Sequence, residues 1–177
     1  VVLELSSFQL DTLGRSPHVA VITNVLEDHL DWHGTRDAYV AAKRHILAWQ
    51  SPGDIAVLNL DDPTTVALHT GVPSEVRGYS LALRPKRGAF REPDGTLALV
   101  DGATRRPLLH ERDLRLPGRH NVSNALAAAA IATALGVPVD VIVEGLEQVS
   151  HVSGRLNLEP MPGNWTLIDA SYNANPG

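Results

Sequence analysis

The chain has 177 residues, of which 44% are apolar and 20% charged, and a net charge of −5. This balance excludes disorder and predicts a soluble globular protein, long enough to bury a core as one domain with part of a second. The absence of cysteine excludes disulfides, thiolate metal centres and a cysteine nucleophile; it leaves the compartment open, though a reducing cytoplasm fits. No basic stripe alternates with aromatics, so nucleic acid is not expected as a partner. The longest apolar run, Ala125–Ile131, is too short and too alanine-rich to span a membrane, and no signal peptide is visible.

Val1–Leu5 and His18–Val25 are short apolar runs, rich in β-branched residues and ending in polar ones. That is the pattern of strands buried on both faces of a parallel sheet. Thr35 predicts the cap of a helix over Arg36–Trp49, with Asp37 near the positive end of its dipole and Pro52-Gly53 closing it. Ile55–Leu60 reads as a further buried strand, stopped by Asp61-Asp62-Pro63, and Pro63–His69 as a short helix. Glu75–Leu81, Gly88–Glu92, Thr96–Val100 and Leu108–Leu116 then alternate with turn chemistry, Pro93-Asp94-Gly95 being a good hairpin turn. This stretch predicts a small, mainly antiparallel insertion or edge region.

Asn121 is expected to cap an alanine-rich helix over Val122–Leu135, with Gly136 at its end, and Pro138 to open a second helix to Gln148. Trp165–Asp169 is the last strand. The expected fold is α/β: a mostly parallel sheet flanked by helices, a small antiparallel β region, and the start of a second α/β domain. A boundary near residue 150 divides it into 1–150 and 151–177. Because Val1 begins within a strand pattern and Asn173-Ala174-Asn175-Pro176-Gly177 ends inside a polar loop, the chain is expected to be an internal piece of a longer enzyme.

The candidate functional residues lie at the ends of these elements. Glu4 is a carboxylate in an apolar strand, costly to bury unless paired or metal-bound; the alternative is a strand that ends at Leu3 with Glu4 already exposed. Ser6 and Ser7 suit a strand-to-loop turn where hydroxyls and amides meet phosphate or magnesium. Gln9 either reads an amide or sugar oxygen or is solvated. Glu27-Asp28-His29 follows the second strand, where α/β enzymes place their ligands. His29 and His33 are spaced like a zinc pair on a helix, but no glutamate follows His29 and Gly34 breaks the helix, which argues against zinc. Lys43 alone reads as a helix-surface lysine. Asn124 is a poor interior helix residue, and with Asn121 it offers amide groups to a base or phosphate. Arg155, in a Ser-Gly setting, is a surface charge or a guanidinium brought to an anion.

Together these residues resemble the Mur ligases, the ATP-dependent amide-forming enzymes of peptidoglycan synthesis. Glu4–Leu10, ELSSFQL, is similar to the D-glutamate-adding branch. Thr23–Ile46, TNVLEDHLDWHGTRDAYVAAKRHI, resembles the segment that carries a metal-binding histidine and a lysine, and LPGRHNVSNALAAAA, from Leu116 to Ala130, the asparagine-bearing helix. The resemblance implies that Glu4 and His29 ligate Mg2+ and that Lys43 is carbamylated, giving an anion able to hold a second magnesium ion, with Lys43 and His29 as the catalytic pair. It places Ser6 and Gln9 in the muramoyl-peptide site. It also implies that Asn121 and Asn124 contact ATP, with Arg155 and Asp169 closing over the nucleotide from the second domain. The implied substrates are UDP-N-acetylmuramoyl-L-alanine and D-glutamate, joined in the cytoplasm.

The ending LIDASYNANPG is more similar to the D-alanyl-D-alanine-adding branch, and Asn157 stands where a glutamate commonly follows the Gly-Arg pair. The added amino acid therefore stays open, and a folylpolyglutamate-synthase-like ligase or a non-catalytic scaffold derived from a ligase are the alternatives. No Gly-rich turn ending in Gly-Lys-Thr or Gly-Lys-Ser occurs. The P-loop, a UDP-binding domain and most of the C-terminal domain are expected elsewhere in the parent. On its own the piece is expected to be inactive and marginally stable.

Overall fold

The computed structural model describes residues 1–26, 30–150 and 157–169. Among them, six strands form one sheet in sequential order: β1 (Val19–Ile22), β2 (Ile55–Asn59), β3 (Glu75–Ser80), β4 (Arg87–Arg91), β5 (Thr96–Asp101) and β6 (Thr104–His110). The first four run parallel, and β4, β5 and β6 pair antiparallel. The expected fold class is present. Among the described residues no helix is long and apolar enough to cross a membrane.

Alternation along the strands decides which helix lies where, since successive side chains of a strand point to opposite faces. Ile55 and Val57 of β2 join Tyr79, Ala89, Leu97 and Leu99 in one core cluster. That cluster packs against α5 (Arg119–Ala134) and α6 (Val139–Gln148), and the alanines of α5 let that helix and the sheet approach closely. Ala56 and Leu58 face the other way, into a second cluster with Tyr39 and Leu47 of α3 (Arg36–Ala48) and Leu68 of α4 (Pro63–Leu68). Both faces of β2 are thus covered, as its unbroken apolar run requires. Thr35 caps α3 by accepting from the Ala38 amide at 3.2 Å, and Asp62 caps α4 through Thr64 at 2.8 Å.

Three expectations are corrected. Val1–Leu5 forms no strand. The segment has no ladder partner among the described residues, and Val1, Val2 and Leu3 are exposed. A strand is held by pairing rather than by its apolar pattern.

In the region from Glu75 to Leu116 the expected antiparallel edge is present as β4 to β6, but Glu75–Ser80 belongs to the parallel part. β3 pairs parallel with β2 and with β4, so the main sheet continues through it. The return from β3 to β4, over Leu81–Lys86, is far shorter than the dozen or so residues a parallel crossover ordinarily takes. Asp61 organises this reversal: its carboxylate accepts from Ser80 Oγ (2.5 Å) and the Leu81 amide (2.6 Å). Ser80 Oγ in turn accepts from the Ala82 and Leu83 amides. Gly88 makes the close pairing feasible. Its φ is +130°, and a Cβ there would lie 1.8 Å from the Gly78 carbonyl oxygen. The expected turn at Pro93-Asp94-Gly95 does form, with Asp94 accepting from the Thr96 amide at 2.9 Å.

The third correction concerns Asn121, which does not cap α5. The cap is Gly118 with φ +100°, a left-handed conformation that starts the helix earlier than the asparagine signal suggests. Asn121 sits inside the first turn and donates its side-chain amide to the Pro117 carbonyl at 2.7 Å. Beyond α6, β7 (Asn157–Met161) and β8 (Trp165–Asp169) pair with each other as an antiparallel two-stranded sheet.

Candidate functional site

The carboxyl ends of β1, β2 and β3 carry a set of side chains that pin the loop leaving β1. Asn59 Nδ2 and Tyr79 Oη both donate to the Thr23 carbonyl, at 2.9 and 3.1 Å. Asp62 accepts from the Val25 amide at 2.8 Å with one carboxylate oxygen while the other caps α4. Burial, with the neighbouring Asp61 and Asp62 carboxylates, pushes the Tyr79 phenol above its ordinary range, so it stays protonated and donates. The loop is therefore fixed up to Val25, at the edge where open α/β sheets bind ligands. Glu27, Asp28 and His29 follow and lie outside the described residues, as does Arg155.

A second group forms where α1 (Ser7–Asp11) and α2 (Leu30–His33) meet α3. Ser6 and Gln9 close a reciprocal capping box. The Gln9 amide donates to Ser6 Oγ (3.3 Å), and the Ser6 amide donates to Gln9 Oε1 (2.9 Å). Both side chains are exposed beside the buried Ser7. Lys43 is half-buried on α3, its Nζ 5.4 Å from the centroid of the Tyr39 ring. His33 lies between the groups, 2.9 Å from Ser7 Oγ, stacked on Phe8 and edge-on to Tyr39. Trp32 meets the Phe8 ring at 86°. The predicted residues Ser6, Gln9 and Lys43 are thus linked through aromatic rings whose part the sequence reading did not foresee.

Glu4 is exposed within the irregular segment before α1 and is not joined to Lys43 by any described contact. Among the described residues no group of three histidine or acidic side chains converges to hold a metal ion. The donor chemistry nevertheless fits a hard cation, since the carboxylate of Glu4 and a carbamate on Lys43 would both offer oxygen.

Asn121 and Asn124 line one cavity of about 180 Å³ at the start of α5, with Leu114, Leu116, Leu146 and Val149. Its walls are apolar apart from these two amides, and its size suits one flat ring system rather than a whole nucleotide. The cavity borders α5 and α6, on the sheet face opposite α3. Asp169 closes β8. The structure thus brings together Ser6, Gln9 and Lys43, and separately Asn121 and Asn124. The signal for the missed aromatic link was present in the Phe8, Trp32, His33 and Tyr39 spacing, but ring contacts between three helices depend on their packing.

The sequence and the fold are similar to those of known proteins. The Mur ligase middle domain matches residues 1–132. The UDP-N-acetylmuramoylalanine--D-glutamate ligase of Symbiobacterium thermophilum is 43% identical over 158 residues, covering 88% of this chain and 34% of the relative. The ligase of the same name from Pelotomaculum thermopropionicum is 38% identical, covering 99% and 39%. Among solved structures, MurF from Acinetobacter baumannii superposes with a TM-score of 0.72 at 31% identity, over 91% of this chain and 35% of that one. MurF from Thermotoga maritima in complex with ADP gives 0.63 at 25% identity, over 91% and 37%. The chain spans little more than a third of the length of these proteins.

Proposed function

The chain belongs to the Mur ligase family through its middle domain, and from that premise we propose that its parent adds D-glutamate to UDP-N-acetylmuramoyl-L-alanine in the cytoplasm. The muramoyl-alanine carboxylate attacks the γ-phosphorus of ATP and ADP leaves, giving an acyl phosphate. The amine of D-glutamate then attacks the acyl carbon, and phosphate departs. The observation that carries this reading is the Ser6–Gln9 turn packed by α1 against the Lys43 helix, in a chain 43% identical to a D-glutamate ligase.

In this reading residues 1–150 are the ATP-binding middle domain, and 151–177 begin the C-terminal domain. Ser6 and Gln9 present hydroxyl and amide groups to the muramoyl peptide, their mutual bonds pre-setting the turn. The cavity below Asn121 and Asn124 takes the adenine, its apolar walls stacking the ring while the amides read its edge. Arg155 and Asp169 close over the nucleotide, Asp169 towards the ribose. Glu4, His29 and carbamylated Lys43 hold Mg2+, which when bound neutralises the phosphate oxyanions.

The deciding experiment is phosphate release by the full-length parent with ATP, magnesium and UDP-N-acetylmuramoyl-L-alanine, across a panel of amino acids and D-alanyl-D-alanine. Release with D-glutamate alone is expected. A second reading, addition of D-alanyl-D-alanine to a longer muramoyl peptide, is favoured by the MurF superpositions and the LIDASYNANPG ending. Release only with that dipeptide would replace the first. Lys43→Arg, which keeps the charge but cannot be carbamylated in the same way, should lower turnover by about 100-fold or more, as expected for a group whose electrostatics act in the transition state.

A further inference from the structure

His33 has no part in the assignments above, yet it touches both halves of the site around Lys43. Its Nε2 lies 2.9 Å from Ser7 Oγ, and Ser7 is 2% exposed, so that end of the contact is shielded from bulk water. The imidazole lies parallel to the Phe8 ring, 5.7 Å away at 9°, and meets the Tyr39 ring edge-on at 5.5 Å. Tyr39 is buried and carries Lys43 Nζ over its face. One side chain on the short α2 therefore connects two consecutive residues inside the Ser6–Gln9 turn with the aromatic ring beside Lys43.

Ser6 and Gln9 bond to each other through their side chains. They set the shape of the turn but not its place relative to α3. A helix as short as α1 has little stability of its own, so its placement is inherited from what it packs against. Among the described residues, polar tethers across that junction join Ser7 to His33, and the Leu10 carbonyl to His45 Nδ1 at 3.0 Å. The second tether lies one turn beyond Ser6, leaving the Ser7–His33 contact nearest the end that faces substrate.

We infer that His33 is a positioning residue of this site: through Ser7 and Phe8 on one side and Tyr39 on the other, it sets where the Ser6–Gln9 turn stands relative to Lys43. The inference rests on the proposed assignment of Ser6 and Gln9 to the muramoyl substrate and of Lys43 to the metal end. Its consequence is a selective one. Loosening His33 misplaces the groups that meet the muramoyl peptide while leaving the nucleotide cavity, on the opposite sheet face, as it was.

The test uses the full-length parent with His33→Ala, His33→Gln, His33→Phe, Ser7→Ala and the Ser7→Ala/His33→Ala double variant. KM is measured separately for the muramoyl substrate and for ATP, and amide hydrogen exchange is followed over residues 7–11. His33→Ala should raise the muramoyl KM about tenfold, the scale of one lost, partly buried hydrogen bond, and leave the ATP KM within about twofold. Glutamine places a polar nitrogen near the position of Nε2, so His33→Gln should recover most of the loss. Phenylalanine keeps the rings but not the bond and should fall between. The double variant should be no worse than His33→Ala alone, because both changes remove one interaction.

Kinetics of His33→Ala equal to wild type would overturn the inference. So would both KM values rising together in every variant without rescue by glutamine, which is general loosening. Wild-type turnover with a different muramoyl peptide would sink the substrate assignment alone, and the KM split on that substrate would still judge His33. If the wild type turns over nothing, exchange decides. Faster exchange confined to residues 7–11 in His33→Ala and restored in His33→Gln supports the placement, and unchanged exchange refutes it.

Discussion

The parallel part of the sheet, β1 to β3, and the antiparallel part, β4 to β6, are held by different means. In the parallel part, side chains reach from one strand end to the loop of another. Asn59 and Tyr79 hold Thr23, Asp62 holds Val25, and Asp61 holds the turn after β3. At the opposite end, buried Gln50 donates to the Pro17 and Ile55 carbonyls and accepts from Ser74 Oγ. In the antiparallel part the strands meet through short turns, and ion pairs add to the ladder: Arg87 with Asp101 on the adjacent β5, Arg91 with Glu111 and Arg105 with Glu92 between the β4 and β6 ends, while Arg87 also reaches Glu75 of β3 across the seam. Contacts distant in sequence must be specified one by one, whereas a hairpin is specified by its turn. The candidate site lies against the part that needed such specification, because the same bonds that close the sheet also fix the loop leaving β1.

The comparison can be broken most sharply at the seam between the parts. Gly88→Ala would strain a left-handed backbone and drive a Cβ into the Gly78 carbonyl, at a cost of about 4 kcal/mol or more. Denaturant unfolding measures this, and a variant as stable as wild type would mean that the β3–β4 pairing is not the joint described.

Next in size is Asp62→Ala. It removes the acceptor for Val25 and the cap of α4, and should cost about 1–3 kcal/mol. Hydrogen exchange should localise the opening to Val25 and the first turn of α4, with β4 to β6 unaffected. Opening spread over the whole sheet would show that the two parts are not separately held.

Acid gives a smaller effect with a defined window. The Ser51 amide, and then His18, hold Asp54 at about 2, below its ordinary 3.8. Its charged form is thus favoured by folding, so its contribution is fully present above pH 4 and is lost as pH falls towards 2. Arg105 and Arg91 likewise hold Glu92 and Glu111 below the usual carboxylate range. The thermal midpoint of the wild type should fall over this window, and that of Asp54→Asn should fall less. Parallel curves would remove Asp54 from the account.

The smallest effect belongs to the ion pairs. Arg91 and Glu111 are each 29% exposed, so Arg91→Ala should cost under about 1 kcal/mol, and less in high salt. A larger, salt-independent loss would make the antiparallel part as dependent on specific polar contacts as the parallel one.

Much of this was legible without coordinates. The Thr35 cap, the strand at Ile55, the Pro93-Asp94-Gly95 turn and the helix opened by Pro138 were all visible, because each depends on neighbours a few residues away. The residues Ser6, Gln9, Lys43, Asn121 and Asn124 could be named, but not how they group. The capping box that joins Ser6 to Gln9 is itself local, yet α1 meets its neighbours through Ser7 with His33 of α2 and Leu10 with His45 of α3, contacts that depend on packing.

By itself the amino-acid sequence determined most of the longer helices and strands, the double burial of the strand at Ile55, and the motifs that resemble the Mur ligases. Only the tertiary structure decided that Glu75–Ser80 runs parallel to β2, that Val1–Leu5 forms no strand, and that α5 starts at a glycine rather than at Asn121. Periodicity reports which side of an element is buried. Pairing direction and helix onset depend on which distant groups arrive to accept its hydrogen bonds.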